Sequence, residues 1–80
     1  MHIVYVLKSE VDNNLYVGCT SNFDRRIKFH NAGKVKSTKH RRPLILIYKE
    51  NYDNLYEAFK MERFYKTAKG KRELSKKLAL

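Results

Sequence analysis

Residues 15–30 read "LYVGCTSNFDRRIKFH", and they decide the fold. An apolar, strand-like run, Leu15 to Cys19, ends beside Gly18. A helix with its own capping signal starts at once: Ser21 is a good N-cap residue and Asp24 stands three positions later, as in a capping box. Phe23 and Ile27 mark the buried side of that helix. At 100° per residue His30 falls on the same side and Arg26 lies at its edge. A helix that leaves a strand end with two guanidiniums and an imidazole either presents a solvated face or faces an anion such as a phosphate.

Upstream, Ile3 to Leu7 ("IVYVL") is β-branched and aromatic and reads as a strand. Asp12, Asn13 and Asn14 are turn residues, so the two runs form a hairpin. Ile3, Tyr5 and Leu7 share one face of the first strand; Tyr16 and Gly18 share one face of the second. Downstream of the helix, Gly33 is a C-terminal stop and Gly33 to Pro43 is a basic loop. Leu44 to Tyr48 ("LILIY") is apolar without alternation, as expected of a strand covered on both faces. Asp53 is the expected cap of a helix reaching about Ala68, with an apolar stripe of Leu55, Ala58 and Phe59. Gly70 is expected to break that helix before a last short one, Lys71 to Leu80. The order strand, strand, helix, strand, helix, helix gives an α+β class: a small three-stranded sheet flanked by helices, in a single domain spanning 1–80.

Composition narrows the function. The chain carries 18 Lys and Arg against 8 Asp and Glu, a net charge of +10 on 80 residues. That balance implies a polyanionic partner, nucleic acid before an acidic membrane. Eight basic residues and no acidic ones lie between Arg25 and Arg42, and eight more between Lys60 and Lys77. Phe29, Phe64 and Tyr65 fall among them. Cys19 is the only cysteine, which excludes an intrachain disulfide and a cysteine zinc site and fits a reducing cytoplasm. No apolar run approaches the roughly 20 residues of a membrane span, and no signal-peptide pattern opens the chain.

Some residues fit a plain core poorly. Glu62 stands where the stripe of the second helix calls for a hydrophobe. A carboxylate there needs an ion-pair partner, such as an arginine of the first helix, or a bound cation. Tyr5 and Tyr16 are on adjacent strands and need hydrogen-bond partners if buried. Cations such as Arg26 and Lys66 can lower a phenol's pKa from about 10 and make it a usable base. His30 can bond a tyrosine or a phosphate. Gly18 is either a strand-end glycine or a gap through which a ligand approaches. Cys19 reads as inert core or pocket wall.

Taken together, "IVY" at 3–5, "YVG" at 16–18, "DRRIKFH", "HNAGKVKSTKHRRP" and "EAFKMERFYK" resemble the GIY-YIG nuclease domain, to about Leu78. The likeness is closest to small stand-alone proteins similar to the nuclease domain of excision-repair endonucleases. The resemblance implies a DNA endonuclease using one Mg²⁺ or Mn²⁺ ion, with roles in repair or in processing branched and flapped DNA. It implies Tyr5, Tyr16, Arg26, His30 and Glu62 as catalytic residues, Glu62 as the metal ligand and Gly18 as a motif glycine. Either tyrosine can be the base. DNA contacts are expected from Arg25, Lys34, Lys36, Lys39, Arg41, Arg42 and Lys66. Two departures stand out: Cys19 and Leu74 occupy positions where relatives often carry lysine and asparagine. The alternative is a basic nucleic-acid-binding module without catalysis. The third reading, ranked below these two, is a subunit whose apolar and basic faces dock a protein partner that directs it to DNA; the oligomeric state is open.

Overall fold

The fold, obtained as a computed structural model, describes residues 1–79. Three antiparallel strands, β1 (His2–Ser9), β2 (Leu15–Thr20) and β3 (Leu44–Tyr52), lie in the order β2-β1-β3. Three helices follow as α1 (Phe23–Asn31), α2 (Leu55–Tyr65) and α3 (Ala68–Leu78), with a 3₁₀ turn at Lys39–Arg41. The expected ββαβαα order and α+β class are therefore observed. Asn13, at φ 59°, takes the left-handed position of the β1–β2 turn, and Asp12 Oδ1 accepts from Asn14 N at 2.9 Å.

The strand covered on both faces is β1, the central one. Val4, Tyr5 and Val6 are fully buried and Leu7 is 2% exposed. Val4 and Val6 pack with Val17, Ala58, Tyr65 and Leu74 on the α2–α3 side; Tyr5 and Leu7 pack with Leu44, Phe23 and Ile27 on the α1 side. β3 was expected to be covered on both faces. It is an edge strand instead, and Ile45 and Leu46 are 45% and 40% exposed. The missing alternation has another cause. The register runs Val6↔Tyr48 and then Leu7↔Leu46, so Ile47 is an extra residue that shifts the side-chain phase.

The helix boundaries shift by small, explicable steps. The N-cap of α1 is Asn22, whose Oδ1 accepts from Arg25 N at 3.3 Å, rather than Ser21. Asn54, rather than Asp53, caps α2 by accepting from Tyr56 N at 2.7 Å and Glu57 N at 3.4 Å. α2 stops at Tyr65, and Thr67 Oγ1 caps α3 by accepting from Gly70 N at 3.0 Å. Gly70 is thus no breaker. It lies inside α3 against the Phe64 carbonyl, where any Cβ would overlap, so a glycine lets the two helices turn tightly on each other. The expected stripe on α2 is rotated as well: Leu55 and Phe59 are about half exposed, while Ala58 and Tyr65 are buried and Met61 packs against the core. The expected end of the last helix at Leu80 lies outside the described residues.

Candidate active site

The α1 face of the sheet holds a cluster built around Tyr5. Tyr5 pairs with Gly18 across the β1–β2 ladder, and its ring lies over that glycine. A Cβ at Gly18 would overlap the Tyr5 ring and hydroxyl. Gly18 is therefore a packing requirement of Tyr5, not an opening for a ligand. Tyr16, two pairs further along opposite Leu7 and so on the same face, brings its ring to 6.4 Å from Tyr5 and 5.1 Å from His30. Phe23 closes the cluster edge-on to Tyr5 at 6.1 Å.

α1 supplies the polar members. His30, fully buried, lies seven residues after Phe23 on the inward side, as its spacing implies. Its Nε2 is 2.8 Å from Tyr5 Oη and its Nδ1 is 2.8 Å from Thr38 Oγ1. Arg26 donates from Nε to Tyr5 Oη at 3.4 Å. The hydrogen bond to Tyr5, set against burial, raises the Arg26 pKa further above its ordinary value. Among the described residues no carboxylate pairs with Arg26.

Burial controls the protonation of this cluster. It pushes His30 down to about 4, with the Arg26 charge adding to the effect, so the imidazole is neutral near pH 7. It also pushes Tyr5 up to about 12, although the Arg26 hydrogen bond acts the other way. The expectation that nearby cations would make this phenol acidic is overturned for Tyr5. Desolvation outweighs the guanidinium, and the hydroxyl keeps its proton.

Glu62 comes from the other layer. It sits on α2 one turn after the buried Ala58, with its side chain 20% exposed. Its partner is Lys66, with Nζ at 3.8 Å on the same helix, rather than an arginine of α1. Such an exposed i,i+4 pair contributes little. The Glu62 charge is felt on both sides of the β2 edge. It adds to burial in raising the Cys19 thiol, and it is the smallest of the effects on Tyr5. Cys19 is half-buried and packed against the α2–α3 core, which fits the core reading. Among the described residues no three His, Cys, Asp or Glu side chains cluster as a metal cage.

The basic residues divide by occupation. Arg42 donates from Nε to Lys39 O at 2.9 Å and from a terminal nitrogen to Asn31 O at 3.3 Å, lying over Gly33, whose φ of 74° favours glycine. Arg41 pairs with Asp12 at 3.0 Å. Arg25 and Lys34 flank the Phe29 ring, at 5.1 and 5.7 Å from its centroid. Lys36 and Lys39 are exposed. A cleft of about 900 Å³ opens between the β1–β2 turn and α3, with Tyr16, Lys8, Arg41, Lys66 and Lys71 around it and Leu74 at its base. Lys8 and Lys71 were not singled out from the sequence.

Two further features escaped sequence reasoning. Thr38, in the basic loop, is fully buried against His30. On the opposite face Glu50 accepts hydrogen bonds from Tyr48 (2.7 Å), Tyr52 (2.9 Å), Tyr65 (2.8 Å) and Lys77 (3.1 Å). Burial alone would raise Glu50; the phenols and Lys77 hold it below the usual carboxylate range. The alternation Tyr48, Glu50, Tyr52 was the available signal, since those residues share a strand face.

Comparison with known proteins agrees with this architecture. The family model described as the GIY-YIG catalytic domain matches residues 1–77. The UPF0213 protein SH2523 of Staphylococcus haemolyticus is 48% identical over 67 residues, covering 82% of this chain and 80% of the relative. The UPF0213 protein SSP2268 of Staphylococcus saprophyticus is 39% identical over 74 residues, covering 91% and 89%. The solution NMR structure of the UPF0213 protein BH0048 from Bacillus halodurans superposes with a TM-score of 0.60 at 35% identity, over 94% of this chain and 82% of that one. With the family model matching residues 1–77 and relatives at 39–48% identity over most of both chains, this chain belongs to the GIY-YIG family.

Proposed function

We infer that this chain is a divalent-cation-dependent DNA endonuclease that hydrolyses phosphodiester bonds in the cytoplasm, with branched, flapped or damaged DNA as its natural substrates. The observation that carries this reading is Arg26: a guanidinium anchored through Nε on the buried Tyr5, unpaired with any carboxylate among the described residues, beside the half-buried Tyr16. An anchored, unneutralised guanidinium is suited to the charge that grows on phosphoryl oxygens during hydrolysis.

Glu62 fits a hard divalent ion of the kind that keeps most of its waters. Mg²⁺ is commonly bound by one or two carboxylates with substrate phosphate, not by an all-protein cage. Glu62 is partly exposed and held only by a weak Lys66 contact. When bound, the ion would supply Lewis-acid stabilisation of the phosphate. The remaining work falls to the chain's own side chains. Arg26 holds the phosphoryl oxygens. Tyr16, in its phenolate form, is the better proton acceptor for the attacking water, because Tyr5 is fully buried with its hydroxyl 2.8 Å from His30 Nε2. Tyr5 and His30 then orient Arg26. Strand contacts are best assigned to Lys8, Lys66 and Lys71 around the cleft, with Arg25, Lys34, Lys36 and Lys39 beyond it. Arg41 and Arg42 contribute less, since both already bond protein groups.

Supercoiled plasmid and labelled flapped, branched and nicked duplexes, with Mg²⁺ or Mn²⁺, provide the test. Wild-type protein is expected to nick at least one of these. Glu62→Gln is expected to lose about a hundredfold or more of the rate while still binding DNA. A protein that cuts none of them, or a Glu62→Gln variant that cuts as well as wild type, would reject the assignment. Binding that is steep in salt yet indifferent to divalent ions and to Glu62 would instead favour the non-catalytic module.

A further inference from the structure

We propose that Thr38 is a positioning residue: it sets the tautomer of His30, and through His30 and Tyr5 it fixes the orientation of Arg26. Thr38, His30 and Tyr5 are all fully buried, so their polar hydrogens must be satisfied within the protein. One arrangement satisfies every donor. Arg26 Nε–H donates to Tyr5 Oη, Tyr5 O–H to His30 Nε2, His30 Nδ1–H to Thr38 Oγ1, and the Thr38 hydroxyl to Val35 O, at 3.4, 2.8, 2.8 and 3.5 Å in turn. The reversed chain fails at Tyr5. With His30 protonated on Nε2, both Arg26 Nε–H and Nε2–H would point at the phenol oxygen, and among the described residues no acceptor would be left for the phenol's own hydrogen.

The direction of the chain has a consequence at its exposed end. With Nε2 unprotonated, Tyr5 turns its hydrogen inward and offers lone pairs to Arg26. With the other tautomer, Tyr5 would have to turn its hydrogen toward Arg26, setting donor against donor and pushing the guanidinium away. Thr38 stands three groups from Arg26 along this chain, yet it biases the state there: with its own hydrogen turned to Val35 O, its Oγ1 is left to accept from Nδ1–H, and the partner of one ring nitrogen sets the role of the other. The consequence for turnover rests on the endonuclease reading above; the tautomer itself does not.

The test begins with the tautomer in the full-length, ¹⁵N-labelled protein at pH 7, read from long-range ¹⁵N–¹H correlations of the His30 ring. Wild type and Thr38→Ser should carry the proton on Nδ1. Thr38→Val should show a mixed or reversed tautomer. In single-turnover nicking, Thr38→Val should lose roughly tenfold to a hundredfold in rate with little change in DNA affinity, and Thr38→Ser should stay near wild type. In a Tyr5→Phe background, Thr38→Val should add almost nothing, since the connection to Arg26 is already cut. A proton on Nε2 in the wild type, an Nδ1–H tautomer that persists in Thr38→Val, or an additive loss in the Tyr5→Phe background would overturn the proposal. Should Thr38→Val fail to fold, the wild-type and Thr38→Ser spectra still decide the tautomer. A wild type that cuts no DNA would remove the endonuclease reading, while the spectra would still accept or reject the role of Thr38.

Discussion

The two faces of the sheet each carry a cluster of phenols with a cation hydrogen-bonded to it, and they differ in what that cation meets. On the α2–α3 face Lys77 donates to Glu50 at 3.1 Å and to Tyr65 at 2.8 Å, and Glu50 also accepts from three tyrosines. Charge and hydrogen-bond capacity are used up inside the protein, so the group pins β3 to both helices. On the α1 face the acceptors behind Tyr5 are neutral, a histidine and a threonine, and the Arg26 charge has no carboxylate to cancel it among the described residues. Similar side chains thus give a closed structural clamp on one side and an unneutralised cation on the other. A basic protein is not uniformly ready for an anion; readiness depends on which cations the fold leaves unpaired.

Acid should separate the two faces most strongly. His30 titrates near 4 in the folded chain against about 6.5 unfolded, so the unfolded state binds the extra proton between those values. The stability associated with a neutral His30 is therefore complete above about pH 6.5 and is lost as pH falls toward 4, by up to about 3 kcal/mol. The Glu50 contribution, from a carboxylate held below its usual range, is lost only at lower pH, beneath the ordinary carboxylate value of 4.5. Thermal melts of wild type and His30→Gln from pH 7 to 4 check this: the wild-type curve should fall through that window with an extra component that His30→Gln lacks. Parallel curves would break the distinction.

Removing the clamp comes next in size. Glu50→Ala leaves three phenols and Lys77 without their common acceptor at a site that water partly reaches, and should cost about 2 kcal/mol, or roughly 10 °C in Tm. Nicking at a temperature where the variant is folded should be little changed. A loss of activity without a loss of stability would mean that the Glu50 face takes part in the chemistry. The smallest effect belongs to the cleft. Lys8→Ala and Lys71→Ala should each lower DNA affinity modestly and reduce the salt slope of binding by about one, measured by fluorescence anisotropy with Glu62→Gln protein. Unchanged slopes would move the strand away from the cleft.

Much of this was legible in the chain. The hairpin, the α1 helix and the inward position of His30 follow from periodicities of two and 3.6, and those patterns survive into the structure because the α1 face is packed along its length. What failed did so locally. "LILIY" hides a bulge at Ile47, which looks like uniform burial. Gly70 reads as a breaker but marks the closest approach of two helices, a contact between segments that no local pattern records. At the site, residue types gave Tyr5, Tyr16, Arg26 and His30 as a group, and they do adjoin. The protonation of Tyr5 was misjudged because burial, which decides it, depends on packing from three elements. Thr38 was invisible for the same reason: a threonine in a basic loop has no sequence mark that it will be drawn inside against a histidine.

The most direct test sets the two cations against each other. Single-turnover nicking with Mg²⁺ or Mn²⁺ should be measured for Arg26→Ala and Lys77→Ala, each verified as folded. Arg26→Ala should fall by about a hundredfold to a thousandfold, the scale of losing one preorganised charge-stabilising donor, while Lys77→Ala stays within a few-fold of wild type. Equal losses, or full activity in Arg26→Ala, would contradict the claim that the unpaired guanidinium on the α1 face is the one that meets the phosphate.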